Sequence, residues 1–327
     1  MTASARGGVA PTLSPRQLLD AIPGLSDTGL TFDVVAFRSQ PGACLTFEDL
    51  TQLAAAVHTR LLAGAAGSVV IQGTDTIEET AYLLDLLHDL PQPVVVTGAM
   101  RNPTTAGADG PANLLAAIQV AASRQARDLG CLVVLADEIH AAARVRKTHS
   151  TSPGTFASPN GGPLGYLVEG TPTILHRPTV RHTVPASESG ATQPRVGLYT
   201  ATLGDDGTLL KDMAGGLDGL VVAGFGVGHV PDTWLDPLTD LATRIPVVLA
   251  SRTGAGPVLT GTYGFPGSER DLIARGLIPA GLLDPYKARI LLHLVLAAGA
   301  ERRTVEAAVR TAGAVDISTA WPWPLTT

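Results

Sequence analysis

With 327 residues, 45% of them hydrophobic, and a formal net charge of −6, the chain carries enough apolar mass for one or two globular domains with a substantial core. The acidic balance and the lack of long basic runs argue against nucleic-acid binding, and no apolar run approaches the ~20 residues of a membrane-spanning helix. The two cysteines, Cys44 and Cys131, offer neither a disulfide framework nor a metal-ligand spacing, so no metal is expected, a reducing compartment is the simplest setting, and both are read as small buried apolar residues.

The first fifteen residues are small, polar and glycine-rich, and read as a loop that begins in mid-fold. Ser14 is placed to cap a short helix over 15–21, stopped by Pro23 and Gly24. Residues 30–37 form a strand candidate, followed by a loop from Ser39 to Ala43. Thr46 and Asp49 make a capping box for an amphipathic helix over 46–63. The run Ser68 to Ile71 is short and β-branched and breaks at Gly73. Ile77, Ala81, Leu84 and Leu87 then fall on one helical face, so the pattern is strand, sharp turn, helix, with Thr76 and Glu79 as a second capping box. A strand over 93–97, a loop over 98–111, a helix over 112–127 and a strand over 131–136 follow. This alternation predicts an α/β fold with a parallel sheet covered on both faces, and the loops after Phe37, Ile71, Val96 and Leu135 aligned along one edge.

From 139 to 165 the pattern turns polar and irregular, with Arg144, Arg146, Lys147, Thr148 and His149 together; such a cluster is usually a solvated face. Residues 186–194 read as a linker between an N-terminal α/β domain, 1–185, and a smaller C-terminal α/β domain, 195–327. In the second domain, strands near 195–199, 219–223 and 246–250 alternate with helices near 209–214, 231–243 and 285–296. The terminal Trp321-Pro-Trp-Pro324 reads as an exposed tail or a docking segment. Gly224 to Gly228 lacks the third glycine of a dinucleotide loop, so no nucleotide cofactor is expected.

The turn after Ile71 is the chemically informative stretch. It sets the Thr74 hydroxyl and the Asp75 carboxylate at the carboxyl end of a strand and beside a helix N-terminus, where unpaired N–H groups attract an anion. Asp75 repels an anion and attracts an ammonium. The two together suit a zwitterion, which is the form of an amino acid. The bland alternative is that Thr74 and Asp75 merely close a turn.

Taken together, these residues resemble bacterial-type L-asparaginases, including the glutaminase-asparaginases. The similarity runs through Gly73-Thr-Asp-Thr76, Pro93 to Arg101, Ala108 to Asn113, Arg146-Lys-Thr148 and Asn160 to Gly165. It continues in the second half through Asp218-Gly219, Gly224 to Gly228, Ser251-Arg252 and Asp284 to Arg289. The resemblance implies a two-domain fold, hydrolysis of the asparagine side-chain amide to aspartate and ammonia, no cofactor, a small amino-acid substrate, and a homo-oligomer, dimer or tetramer. It also implies that Thr74, Asp75 and Lys147 are catalytic, that Gly73, Ser39 and Gln40 join Thr74 and Asp75 in substrate binding, and that His229 and Glu269 stand at a subunit-interface site. A threonine hydroxyl needs a base; Lys147 could serve, since burial lowers its pKa while Asp75 raises it.

One departure stands out. The family's Gly-Gly-Thr-Ile strand end, which carries a first catalytic threonine, is not in this sequence; Gly7-Gly8 is followed by Val9-Ala10-Pro11. Three readings compete: a start site further upstream, a non-catalytic amino-acid-binding relative, or a substitute hydroxyl from Thr2, Ser4 or Thr12. No leader segment is legible, and the cytoplasm is the expected location.

Overall fold

The apolar runs and helix-start residues divide the chain into two α/β units, Met1–Arg181 and His182–Leu325. The structure, a computed structural model, describes residues 13–187, 193–213, 215–315 and 319–324, with the backbone of 2–3 and 9–10. Most of the expected linker, 188–192, lies outside the described residues.

In the first unit, the opening stretch is not wholly loop: β1 (Thr2–Ala3) and β2 (Val9–Ala10) pair antiparallel. Ser14 and Gln17 form a reciprocal capping box that starts α1 (Pro15–Asp20). Thr46 and Asp49 do the same for α2 (Phe47–Leu62), each backbone N–H meeting the other's side-chain oxygen at 3.1 Å. β3 (Ser68–Ile71) leads through one tight turn into α3 (Ile77–Leu87). Here the predicted capping box is absent. Thr76 Oγ1 instead donates to Gly42 O at 3.3 Å and accepts from Gln72 Nε2 at 3.3 Å, so it ties two loops together rather than closing the helix.

β4 (Val94–Thr97), α4 (Gly110–Ala122) and β5 (Cys131–Leu135) follow. β3, β4 and β5 are parallel, with Val69 opposite Val95 and Val95 opposite Leu132. Their unbroken apolar character has a simple cause, since both faces are covered. Val94, Val96, Cys131, Val133 and Leu135 pack with Leu61, Ile77, Ala81 and Leu84 of α2 and α3. Val95, Leu132 and Val134 pack with Ala117, Val120 and Ala121 of α4.

Beyond β5 the sheet continues antiparallel through β6 (Glu138–Ala141), β9 (Gly165–Val168) and β10 (Thr171–Ile174), giving the order β10-β9-β6-β5-β4-β3. The stretch expected to be irregular thus holds strands. Two-residue turns reverse the chain: Ala136 and Asp137 both have positive φ, 50° and 61°, as do Glu169 and Gly170, 49° and 73°. That is the conformation a tight hairpin demands of both central residues. A separate small hairpin, β7 (Arg146–Lys147) and β8 (Phe156–Ala157), sets Lys147 opposite Phe156.

Two further expectations are corrected. Residues 29–39 form no regular element, and Leu30, Phe32 and Val35 are 39%, 37% and 54% exposed. Alternation alone does not make a strand; the segment has no ladder partner among the described residues. Cys44 is exposed in the turn Gly42–Cys44, whereas Cys131 is buried.

The second unit has a four-stranded parallel sheet in sequential order, β11 (Val196–Thr200), β12 (Gly219–Gly224), β13 (Val247–Ser251) and β14 (Ile278–Pro279). Helices α5 (Thr208–Met213), α6 (Leu235–Arg244), α7 (Glu269–Ala274), α8 (Pro285–Ala297) and α9 (Arg302–Ala312) accompany it. Trp321 is not an exposed tail. It is buried, stacks on the His182 ring with centroids 4.4 Å apart, and donates from Nε1 to Thr183 O at 2.9 Å.

Candidate active site

The site is built where the parallel strands of the first unit end. Gln72 N donates to Thr97 O at 3.1 Å, which carries the β3–β4 ladder one residue further before Gly73 releases the chain into a single 3-10 turn, Thr74–Thr76. Gly98 is the residue that lets this turn sit where it does. A Cβ there would lie 2.5 Å from Gln72 O and 3.3 Å from Thr74 Cγ2, so only glycine fits without displacing the turn.

Two side chains fix the loop that carries Gly98. Buried Asn113 donates from Nδ2 to Gly98 O and accepts at Oδ1 from Ala136 N, both at 3.0 Å, bridging the ends of β4 and β5. Asp109 accepts from Met100 N at 3.0 Å, Arg101 N at 2.8 Å and Asn113 Nδ2 at 3.1 Å. Neither had been singled out as a site residue; both fall inside the 108–113 segment that carried part of the resemblance.

The β7–β8 hairpin delivers the third group. Lys147 Nζ lies 2.9 Å from Thr74 Oγ1 and 3.7 Å from Asp75 Oδ1, across 73 residues of sequence. The lysine side chain is 16% exposed, the aspartate 64%. Lys147 is therefore largely withdrawn from solvent while Asp75 faces it, so the ion pair is screened and the Thr74 contact is the shielded one. On the neighbouring residue, Arg146 Nε sits 3.8 Å from Glu78 Oε2 at the start of α3, anchoring the hairpin against the helix that carries the turn.

Asp75 and Lys147 line a cleft of about 430 Å³ together with Thr148, His149 and Ser150. His149 is exposed, in keeping with the reading of a solvated face, and lines the cleft as well. Ser39 and Gln40 are not in that lining. The Gln40 amide donates to Cys44 O at 3.3 Å and Asp49 Oδ2 at 3.4 Å, towards the start of α2.

Towards the far end of α3, half-buried Asp85 accepts from Cys131 N at 2.8 Å. Burial pushes its carboxyl up to about 6 despite the Arg181 guanidinium. In the second unit, His229 Nε2 lies 3.2 Å from Glu269 Oε2, and its ring meets Tyr263 and Phe265 edge-on at 4.9 Å each. Burial works to raise the Glu269 carboxyl, but the N–H groups of Tyr263, Glu269 itself and Thr262, with the His229 ring, together hold it below the usual value.

A hydroxyl against a shielded lysine, with a carboxylate facing an open cleft at the carboxyl end of a parallel sheet, defines a class: an α/β protein with its candidate site at the strand ends. Comparison with known proteins narrows the class. Residues 1–180 match the N-terminal asparaginase family and residues 195–309 the glutaminase/asparaginase C-terminal domain. A probable L-asparaginase of Deinococcus radiodurans is 36% identical over 305 residues, 91% of this chain and 89% of that one. L-asparaginase 2 of Escherichia coli is 38% identical over 235 residues, 70% of this chain and 66% of that one. The crystal structure of a probable cytoplasmic L-asparaginase from Campylobacter jejuni superposes with a TM-score of 0.82 at 32% identity, covering 90% of this chain and 93% of the other. The chain belongs to the asparaginase family.

Proposed function

We propose that this chain is an amidohydrolase that converts L-asparagine to L-aspartate and ammonia, with L-glutamine as the competing substrate. The observation that carries the reading is the convergence of Thr74, Asp75 and Lys147, with Lys147 Nζ 2.9 Å from Thr74 Oγ1 and 3.7 Å from Asp75 Oδ1. In this reading Asp75 holds the substrate's α-ammonium at the mouth of the cleft. Lys147 takes the proton of Thr74, and Thr74 takes the proton of the water oxygen that bonds to the carboxamide carbon. N–H groups of the turn stabilise the oxyanion that develops as the carbonyl electrons shift, an effect typically worth about 3 kcal/mol per well-placed donor. The proton then returns from Lys147 through Thr74 to the departing nitrogen, the C–N bond breaks, and ammonia leaves.

Membership of the family and the likeness to the D. radiodurans and C. jejuni proteins support the substrate class. We also place the protein in the cytoplasm as a homo-oligomer; sedimentation of the purified chain tests the second point. The functional test is ammonia release from L-asparagine and L-glutamine by the full chain, with L-aspartate binding followed by calorimetry. Turnover supports the reading. Binding of L-aspartate without any ammonia would make the protein an amino-acid binder instead.

A further inference from the structure

Lys147 reaches Thr74 on a flexible four-carbon stem, so the resting place of its nitrogen is decided by how firmly the backbone beneath it is held. That backbone is slight. β7 and β8 pair through two residues each, and so short a hairpin is not stable by itself in water. Its supports lie outside it. Val145, just ahead of β7, and Phe156 of β8 sink into the apolar cluster with Ile77, Ala81 and Leu84 of α3, but apolar contact is non-directional and sets depth rather than alignment. Ser158, directly after β8, has its hydroxyl oxygen 3.0 Å from His140 Nδ1 of β6, which ties down the strand that does not bear the lysine.

The strand that bears it has a charged link. Arg146 Nε stands 3.8 Å from Glu78 Oε2, with the two side chains only 19% and 10% exposed. Glu78 lies in the first turn of α3, just beyond the Thr74–Thr76 turn, where a helix start favours negative charge. Consecutive residues of β7 thus meet the two ends of one short stretch, Lys147 at Thr74 and Arg146 at Glu78. Attachment at two points stops the strand from pivoting over the turn, which a single contact at the tip of a flexible side chain cannot do. Shielded from solvent, this pair also escapes the screening that weakens the Lys147–Asp75 contact. We propose that Glu78 and Arg146 are positioning residues, their ion pair holding Lys147 Nζ within bonding distance of Thr74 Oγ1. The kinetic consequences rest on the amidohydrolase reading of the same cleft.

Glu78→Gln keeps the shape of the side chain and removes its charge. Its kcat for L-asparagine, per folded molecule, is expected to fall about 10- to 100-fold, the effect of displacing a reacting group by roughly 1 Å. KM should stay near that of the parent, because Asp75 stands on the turn and not on the hairpin. Arg146→Gln should behave alike. Arg146→Lys returns a charge to a contact made at 3.8 Å, without a bidentate fork to lose, and should regain most of the loss. Added to Lys147→Met, Glu78→Gln should cost nothing further, since a positioning residue acts only through the group it places. Ser158→Ala, which cuts the tie of the other strand, should lower Tm with kcat little changed. An unchanged kcat in Glu78→Gln, a loss that repeats in full on Lys147→Met, or an equal loss in Ser158→Ala overturns the proposal. If Glu78→Gln does not fold, the two Arg146 variants decide by the same criteria. Crystal structures of the parent and Glu78→Gln test the placement without turnover: separation of Nζ and Oγ1 beyond hydrogen-bond reach in the variant supports it, and an unchanged 2.9 Å refutes it. A parent that releases no ammonia therefore defeats the amidohydrolase reading alone.

Discussion

At the residue scale the site depends on a contact of 2.9 Å between a threonine oxygen and a lysine nitrogen. Lys147→Met removes the proton acceptor of the proposed reaction while keeping most of the side-chain volume, and is expected to lower kcat by about 10²- to 10⁴-fold with Tm nearly unchanged. Asp75→Asn is expected to act mainly on KM, since it removes the charge that we propose pairs with the substrate ammonium; steady-state ammonia release distinguishes the two. Gly98→Ala is a different kind of lesion. Its methyl would sit 2.5 Å from Gln72 O, so the turn bearing Thr74 must move, and both kcat and Tm should fall, the latter by the equivalent of about 1–3 kcal/mol of overpacking. Thr74 and Asp75 were legible because a β-branched run, a glycine and a helical period mark out a turn. Lys147 emerged only through resemblance, because nothing local reports a partner 73 residues away. That His149 Nδ1 accepts from Thr151 N and Ser152 N, each at 3.0 Å, was illegible, since it is a property of the loop's shape rather than of residue order.

At the scale of elements, the helix starts at Ser14 and Thr46 and the buried parallel strands were readable, because capping chemistry and apolar runs are local signals. The antiparallel half of the first sheet was not. Its first reversal puts Ala136, which carries no turn signal, ahead of Asp137 in the left-handed conformation that glycine adopts at least strain. Residues 30–37 erred in the other direction, having the alternation of a strand without an edge to pair with. Ala136→Gly therefore makes a test of the hairpin. Relief of left-handed strain, about 1–2 kcal/mol, should outweigh the added freedom of the unfolded chain and raise Tm by a few degrees, while loss of the Asn113 contact is avoided because the Ala136 N–H is retained. Asn113→Leu does the opposite. It strands the buried Gly98 O, at about 1–3 kcal/mol, while the exposed Ala136 N can turn to water, and should show as a lower thermal midpoint together with lost turnover.

At the scale of the whole molecule, acid sensitivity follows from buried imidazoles. Burial lowers His88, His140 and His293 to about 4, with hydrogen bonds or neighbouring charges adjusting the first and last. Each is neutral in the fold and free to protonate in the unfolded chain, so the stability it contributes is full above its unfolded value near 6.5 and is lost as pH falls through about 4. Asp85 works against them. Raised to about 6, it holds a proton in the fold that the unfolded chain releases above 3.8, which favours the fold at the acid end of the same window. Three imidazoles outweigh one carboxyl, so Tm is expected to drop as buffer pH goes from 6.5 to 4, and to drop less in Asn or Gln variants of these histidines; a flat profile in calorimetry would refute it.

The seating of Trp321 against His182 and Thr183 has a mechanical corollary. The second unit is closed by a non-covalent clasp, an indole near its end latched to the His182 ring and the Thr183 carbonyl at its start. Carboxypeptidase trimming past that indole should open the latch, loosening the segment at the start of this unit before any strand of its sheet gives way.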